Sequence, residues 1–411
     1  MSKAPKLRFK EFSGDWESKK LEDVTSYVDY RGKTPPKSES GIFLVTAKNI
    51  KQGYIDYSAS QEFISEESYD EAMRRGLPQK GDVLLTTEAP LGNVAQIDRE
   101  DIALAQRVIK FRGTEEVDNT FLKYYFLSEE FQNKLFSKAI GTTVLGIQGK
   151  VLHKMLVSLP TIEEQEKIAS FISLIDDKIS LQGEKVEALK DYKKGMMQNI
   201  FSRELRFKDD EGRDYPDWEE KKLNQLGDTY TGLSGKTKEN FGIGECKYVI
   251  YKNVFGNTIA KEDEVELVEI NEGESQNKVI KGDLLFTTSS ETPEEVGMVS
   301  CWNYDVEDLY LNSFCFGYRL FDLEQYSPIF IAYLLRSESY RRKISILGQG
   351  STRYNISKNE LMKMKIKVPV IEEQRKIVSL LLGIESKIEK EQEKLDSLNE
   401  YKKGLLQQMF V

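Results

Sequence analysis

Along residues 168–200 the apolar side chains recur at alternating steps of four and three, through Ile168, Ile172, Ile175, Ile179, Gln182, Val186, Leu189, Lys193, Met196 and Ile200. Eight of these ten positions are apolar, which is the 3.5-residue repeat of a coiled-coil seam. A second stripe runs through Ile377, Leu381, Ile384, Ile388, Glu391, Leu395, Leu398, Lys402, Leu405 and Met409, with its polar members at the equivalent places. The two stripes predict two long helices whose seams meet. An antiparallel pairing would put a globular domain at each end, related by a pseudo-two-fold axis. After Pro160, Thr161 and Glu164 fit a capping box, and the acidic run suits the positive end of a helix dipole. At 1.5 Å per residue, 163–201 forms a rod of about 58 Å, long enough to measure a distance between domains. Gly195 and Gly404 interrupt both helices within the same YKKG. A glycine costs about 1 kcal/mol relative to alanine there, so its equivalent placement in both points to a close helix crossing or a subunit contact.

The stripes belong to a larger repetition. LRFKEFSGDWESKKL at 7–21 returns as LRFKDDEGRDYPDWEEKKL at 205–223, SYVDYRGKT at 26–34 as TYTGLSGKT at 229–237, and KGDVLLTTEAP at 80–90 as KGDLLFTTSSETP at 281–293. From 121–201 to 330–410 the match keeps a constant offset of 209. The chain is a duplication. Within each copy, short runs such as GIFLVTA, DVLLTT and NVAQI, bounded by Gly, Asp and Asn, read as strands. Segments 120–138 and 328–346 place Phe121, Tyr125, Phe131 and Leu135 and their counterparts at helical spacing, as core rather than as a stacking platform. The expected fold is mixed α/β, with globular domains at 1–160 and 204–368, each followed by a long helix at 161–203 and 369–411.

Composition narrows the chemistry. The 411 residues exceed one ordinary core, and a mean hydropathy of -0.50 with 31% charged residues describes a soluble chain with much exposed helix surface. No run approaches the roughly 20 apolar residues of a membrane span, and MSKAPKLRFK lacks the apolar stretch of a signal peptide, so a cytoplasmic location is expected. Cys246, Cys301, Cys315 and the single His153 form no metal-binding spacing, and His153, beside Leu152 and Met155, reads as structural. The net charge of -9 confines any nucleic-acid binding to local patches. One candidate patch is 336–367, where Arg336, Arg341, Arg342, Lys343, Arg353, Lys358, Lys363, Lys365 and Lys367 face only Glu338 and Glu360. The alternative is a solvated helix face.

Catalytic motifs are near-misses. Gly32-Lys33-Thr34 and Gly235-Lys236-Thr237 resemble the end of a phosphate-binding loop, yet Tyr27 and Tyr230 stand where its first glycine is required. Pro216-Asp217 with Glu219 and Lys221 is too compact for a nuclease metal site, and reads as a turn. The only double proline, in Thr34-Pro35-Pro36-Lys37, is no adenine methyltransferase loop.

In the order domain, helix, domain, helix, the chain closely resembles the specificity subunit of Type I restriction-modification enzymes over essentially its whole length. The carrying residues are W-E-x-K-x-L at 16–21 and 218–223, RGKTP at 31–35, the KGDxLxTT strands, and LPTIEEQEKI and VPVIEEQRKI opening the helices. The resemblance implies two target-recognition domains, each reading half of a split double-stranded DNA sequence, with helices that fix the gap and dock two methyltransferase subunits and restriction/translocase subunits. It implies a non-catalytic subunit of an adenine methyltransferase complex, without a cofactor of its own, S-adenosylmethionine, ATP and magnesium belonging to the partners. Arg and Lys suit guanine edges or phosphates, and Asn and Gln suit adenine. On loops, the candidates are Arg31, Lys33, Thr34, Lys48, Asn49, Gln106, Arg107, Thr142 and Thr143 in the first domain. In the second they are Lys236, Thr237, Lys252, Asn253, Asn312, Ser313, Gln349, Ser351, Thr352, Arg353, Tyr354 and Asn355. The rival readings are a stand-alone enzyme, disfavoured by the missing motifs, and a coiled-coil scaffold with two protein-binding domains, which the acidic charge favours.

Overall fold

The structure is a computed structural model and describes residues 4–30 and 35–411. It divides into two compact units, one formed by 1–184 with 392–411 and the other by 185–391. Each unit therefore takes in the start of one long helix and the end of the other.

In unit 1 the central sheet is antiparallel, in the order Thr25–Asp29, Val108–Gly113, Val83–Thr87, Leu91–Gln96. Val83–Thr87 is buried at every position, as an inner strand covered on both faces must be. A second sheet joins Lys37–Ser38, Phe63–Ile64, Ile42–Val45 and Ile102–Leu104, its last pair parallel. Unit 2 repeats the plan. Its central sheet runs Gly227–Thr231, Cys315–Leu320, Leu284–Thr287, Val299–Cys301, and the parallel pair recurs between Phe241–Val249 and Leu309–Leu311. Each globular part is entered and left through a two-strand neck, Glu17–Lys20 against Leu156–Leu159 and Glu219–Lys222 against Lys365–Val368.

The segments 120–138 and 328–346 are each two helices rather than one. Asn119–Leu127 gives way to Glu129–Ser137 at Ser128, and Pro328–Arg336 to Glu338–Ser345 at Ser337. Both serines are extended, and the Ser128 hydroxyl accepts from the N–H of Phe131, capping the second helix at the price of the first.

The long helices span Ile162–Ser202 and Ile371–Gln408. Inside unit 1, Ile168 and Ile172 share a core with Leu405 and Met409, and Asp176 pairs with Lys402 at 2.6 Å. Inside unit 2, Ile200 shares a core with Ile377 and Leu381, and Lys193 pairs with Glu385. In both units one helix segment descends in number as the other rises, which is antiparallel pairing. Ile384 and Val186 are buried, and Ile175, Ile179, Leu189, Ile388, Leu395 and Leu398 are partly so. The polar break Glu391 is buried 3.0 Å from Lys185. An added Cβ at Gly195 or Gly404 would meet nothing within 4 Å, so the close helix crossing expected there is absent.

Glu164 does not serve the expected capping box. It is buried and accepts from Arg8, as Glu373 does from Arg206. The next residue, Gln165, clamps the carbonyls of Glu116 and Pro160, and Gln374 those of Gln325 and Pro369. The EEQ that opens each helix thus fastens it to its own unit. The core is closed by an aromatic from the end of a long-helix segment. Phe410 lies 5.5 Å from Phe121 and 6.4 Å from Trp16, while Phe201 lies 5.9 Å from Phe330, itself 5.8 Å from Trp218.

Candidate nucleic-acid interface

The end of the inner strand in each unit gathers three loops. In unit 1 the N–H of Thr87 donates to the carbonyl of Arg107 at 2.9 Å, and its own carbonyl accepts from Ile147 at 3.0 Å. Glu88 and Ile140 each bridge to Gly146. Arg107, at φ 73, sets its Nε 2.6 Å from the Glu88 carboxylate, both side chains about half exposed. Gly141 sits at φ +116, and a Cβ there would lie 2.1 Å from the carbonyl oxygen of Val144. Only glycine closes this turn. It carries Thr142, Thr143, Val144 and Leu145 outward, all exposed.

Unit 2 builds the same junction. The N–H of Thr288 donates to Phe314 and its carbonyl accepts from Ile356, both at 2.9 Å. Ser289 and Gln349 pair with Asn355. Gly350, at φ +139, would put a Cβ 2.1 Å from the Arg353 carbonyl oxygen. The Arg353 guanidinium lies 5.4 Å from the ring centre of Phe314, at the edge of a cleft of about 480 Å³ lined by Tyr251, Phe255, Ser290, Glu291 and Glu295.

A model of the Type I restriction modification DNA specificity domain matches residues 13–191 and again 215–400, most of the chain. The chain belongs to this family. It is 25% identical over 417 residues to the MjaVIII specificity subunit of a Type I restriction enzyme from Methanocaldococcus jannaschii, covering 97% of this chain and 94% of that one. A putative MjaX specificity subunit from the same organism is also 25% identical, over 98% and 94% of the two chains. A crystal structure of a Type I restriction-modification S subunit from M. genitalium shares the fold, with a TM-score of 0.57, 15% identity and 99% of each chain covered. A second chain, from a structure concerned with complex assembly and conformational transition of a type I system, gives 0.58, 19% identity and coverage of 95% and 96%.

Within the two specificity domains, several sequence candidates prove structural. Asn49 is fully buried, accepting from Thr46 and donating to the carbonyls of Asp56 and Ser60 at 2.9 Å. Asn253 is its counterpart, donating to Lys261 and Glu264 at 2.8 Å. Their amides are fully engaged in holding turns, so neither is a DNA contact. Lys236 is also withdrawn, its side chain buried 2.5 Å from Glu274. Hydrogen bonds from Lys236, Gln276 and the backbone of Asn271 hold the Glu274 carboxyl down at about 2. Asn312 accepts from the N–H of Phe314, and Thr237 turns onto Asn240, both shaping loops. The equivalent of Gln106-Arg107 is Ser313-Phe314, one residue later than the sequence match suggested.

The basic stretch 336–367 is only partly open, with Arg342, Lys343, Arg353, Lys363 and Lys365 exposed. Arg336 and Arg341 point inward onto carbonyls of Val254, Phe255, Glu294 and Gly297, and burial lowers both to about 10. Arg342, Lys363 and Lys365 pair with Glu338, Glu360 and Glu220. Lys48, Gln106, Arg107, Thr142, Thr143, Lys252, Ser313, Gln349, Ser351, Thr352, Arg353 and Asn355 are exposed, with Tyr354 partly buried. Arg31, Lys33 and Thr34 lie outside the described residues. Val144 and Phe314 were not among the candidates, although the glycines at 141 and 350, 209 apart, mark the turn that carries Val144.

Among the described residues no group of His, Cys, Asp and Glu could hold a metal ion, and no helix is long and apolar enough to cross a membrane. His153 is buried, its ring stacked 3.3 Å from that of Tyr27. Burial pushes the Cys301 thiol up to about 12 and that of Cys315 higher still.

Proposed function

We propose that the protein supplies DNA sequence specificity to a Type I restriction-modification complex, each unit reading one half of a bipartite target. The observation that carries this is the duplicated junction, in which one strand end holds three exposed loops in the same hydrogen-bonded arrangement in both units. Such loops on a rigid sheet are where groove-reading side chains belong. The long helices serve as the spacer that fixes the number of unread base pairs, and as the seat of two methyltransferase subunits, with restriction/translocase subunits completing the assembly. Methyl transfer, ATP use and magnesium binding belong to those partners, and the complex works in the cytoplasm. Sequencing the host genome for modified bases, with and without this gene, tests the reading. A split motif that disappears with the gene is expected, and an unchanged set of modified sites would refute it.

A further inference from the structure

The two junctions are the same scaffold with their contact chemistry exchanged. The position whose carbonyl receives the strand-end N–H is Arg107 in unit 1 and Phe314 in unit 2. The position whose carbonyl oxygen is packed against the glycine turn is Val144 in unit 1 and Arg353 in unit 2. Unit 1 thus presents arginine then an aliphatic, and unit 2 an aromatic then arginine. Val144 is 55% exposed and Phe314 53%, and Leu145 beside Val144 is exposed as well, so the unit 1 turn sets apolar side chains outward next to Thr142 and Thr143.

Against DNA, those apolar side chains meet one apolar feature on the base edges of the major groove, the thymine methyl. Arginine meets guanine O6 and N7 there through a bidentate pair. We infer that these four residues are the specificity-determining positions, with Val144 and Phe314 against thymine methyls and Arg107 and Arg353 against guanines. The inference rests on the DNA-reading function proposed above. Arg107 is supported by Glu88, whose place in unit 2 is taken by the buried Ser289, while Arg353 lies against the Phe314 ring instead.

The exchange of chemistry at a fixed turn can be tested directly. Val144→Arg places in unit 1 the side chain that Arg353 already provides in the same glycine turn, at an exposed position, so folding should be kept. Modified-base sequencing of a host carrying this variant should show one half-site changed from thymine to guanine at a single position, with the other half-site intact. In a binding assay of the wild-type complex, uracil in place of thymine at that position should weaken binding about fourfold, the loss of one buried methyl. An unchanged motif in the variant together with equal affinity for thymine and uracil DNA would overturn the inference while leaving the DNA-reading function standing. Absence of any split motif in the wild type would instead strike the function itself.

Discussion

The guanidinium of Arg8 donates to both carboxylate oxygens of Glu164, at 2.8 and 2.7 Å, across 156 residues of sequence. Arg206 and Glu373 repeat the contact in unit 2, where Glu373 also accepts from the indole N–H of Trp218. Glu164 is 1% exposed. Removing the arginine leaves a buried charge without its partner, so Arg8→Ala should cost about 3 kcal/mol. Urea unfolding would show it, and Arg206→Ala should behave alike.

The aspartate of each KGD has a related role. Asp82 receives Arg112 at 2.6 and 2.8 Å, and Asp283 receives Arg319 at 2.8 Å through both oxygens. Burial pushes the Asp82 carboxyl up, but hydrogen bonds from Arg112 and the Gln79 N–H, with the charge of Lys110, more than reverse this and hold it below its ordinary value. A lowered folded-state value adds stability that is full above the unfolded value of about 3.9 and is lost as pH falls through the folded one. Asp82→Asn should therefore destabilise at pH 7 by about 3 kcal/mol and flatten the loss of stability below about pH 4. Thermal unfolding across pH 2–7 measures both.

Gly195 and Gly404 have open space where a Cβ would stand. With no neighbour to displace, Gly195→Ala and Gly404→Ala should each stabilise the isolated protein by up to about 1 kcal/mol. A loss of methyltransferase binding in the stabilised variants would mark this face as a subunit contact.

These outcomes divide along a physical line. The helix seams were legible because burial of an apolar stripe is periodic in the chain itself, and Ile168, Ile172, Ile377 and Leu381 lie in the cores. The duplication was legible from segments repeated at a constant offset, and the strands from short apolar runs bounded by Gly, Asp and Asn. Asn49, Asn253 and Lys236 were misread because their types suit a DNA edge and an internal turn equally well, and only tertiary partners decide between them. Arg336 and Arg341 look like surface charge in sequence, yet they cap carbonyls that the fold brings together. Glu164 was read as a local cap when its partner lay 156 residues away. Val144 and Phe314 were passed over because they are apolar, and what marks them is exposure on two different loops of the same junction.

Each long helix begins in one unit and ends in the other. A spacer change must then be made in both. Four residues inserted after Glu184 and four after Gln392 add about 6 Å of helix while nearly keeping the seam in phase. The expected result is unchanged half-sites separated by one or two more base pairs, at about 3.4 Å each. Inserting in one helix alone should lower thermal stability. Modified-base mapping with a melting curve checks both.

The central claim is one half-site per unit, and a domain exchange tests it most directly. Residues 22–155 lie between the paired strands of the unit 1 neck, so they can be replaced by the matching segment of a relative with the long helices left intact. Modified-base sequencing of a host carrying the hybrid should show one half of the split motif replaced by that of the relative, with the other half and the spacer as before. Replacement of both halves, or of neither, by a hybrid that folds and still supports methylation would contradict the account.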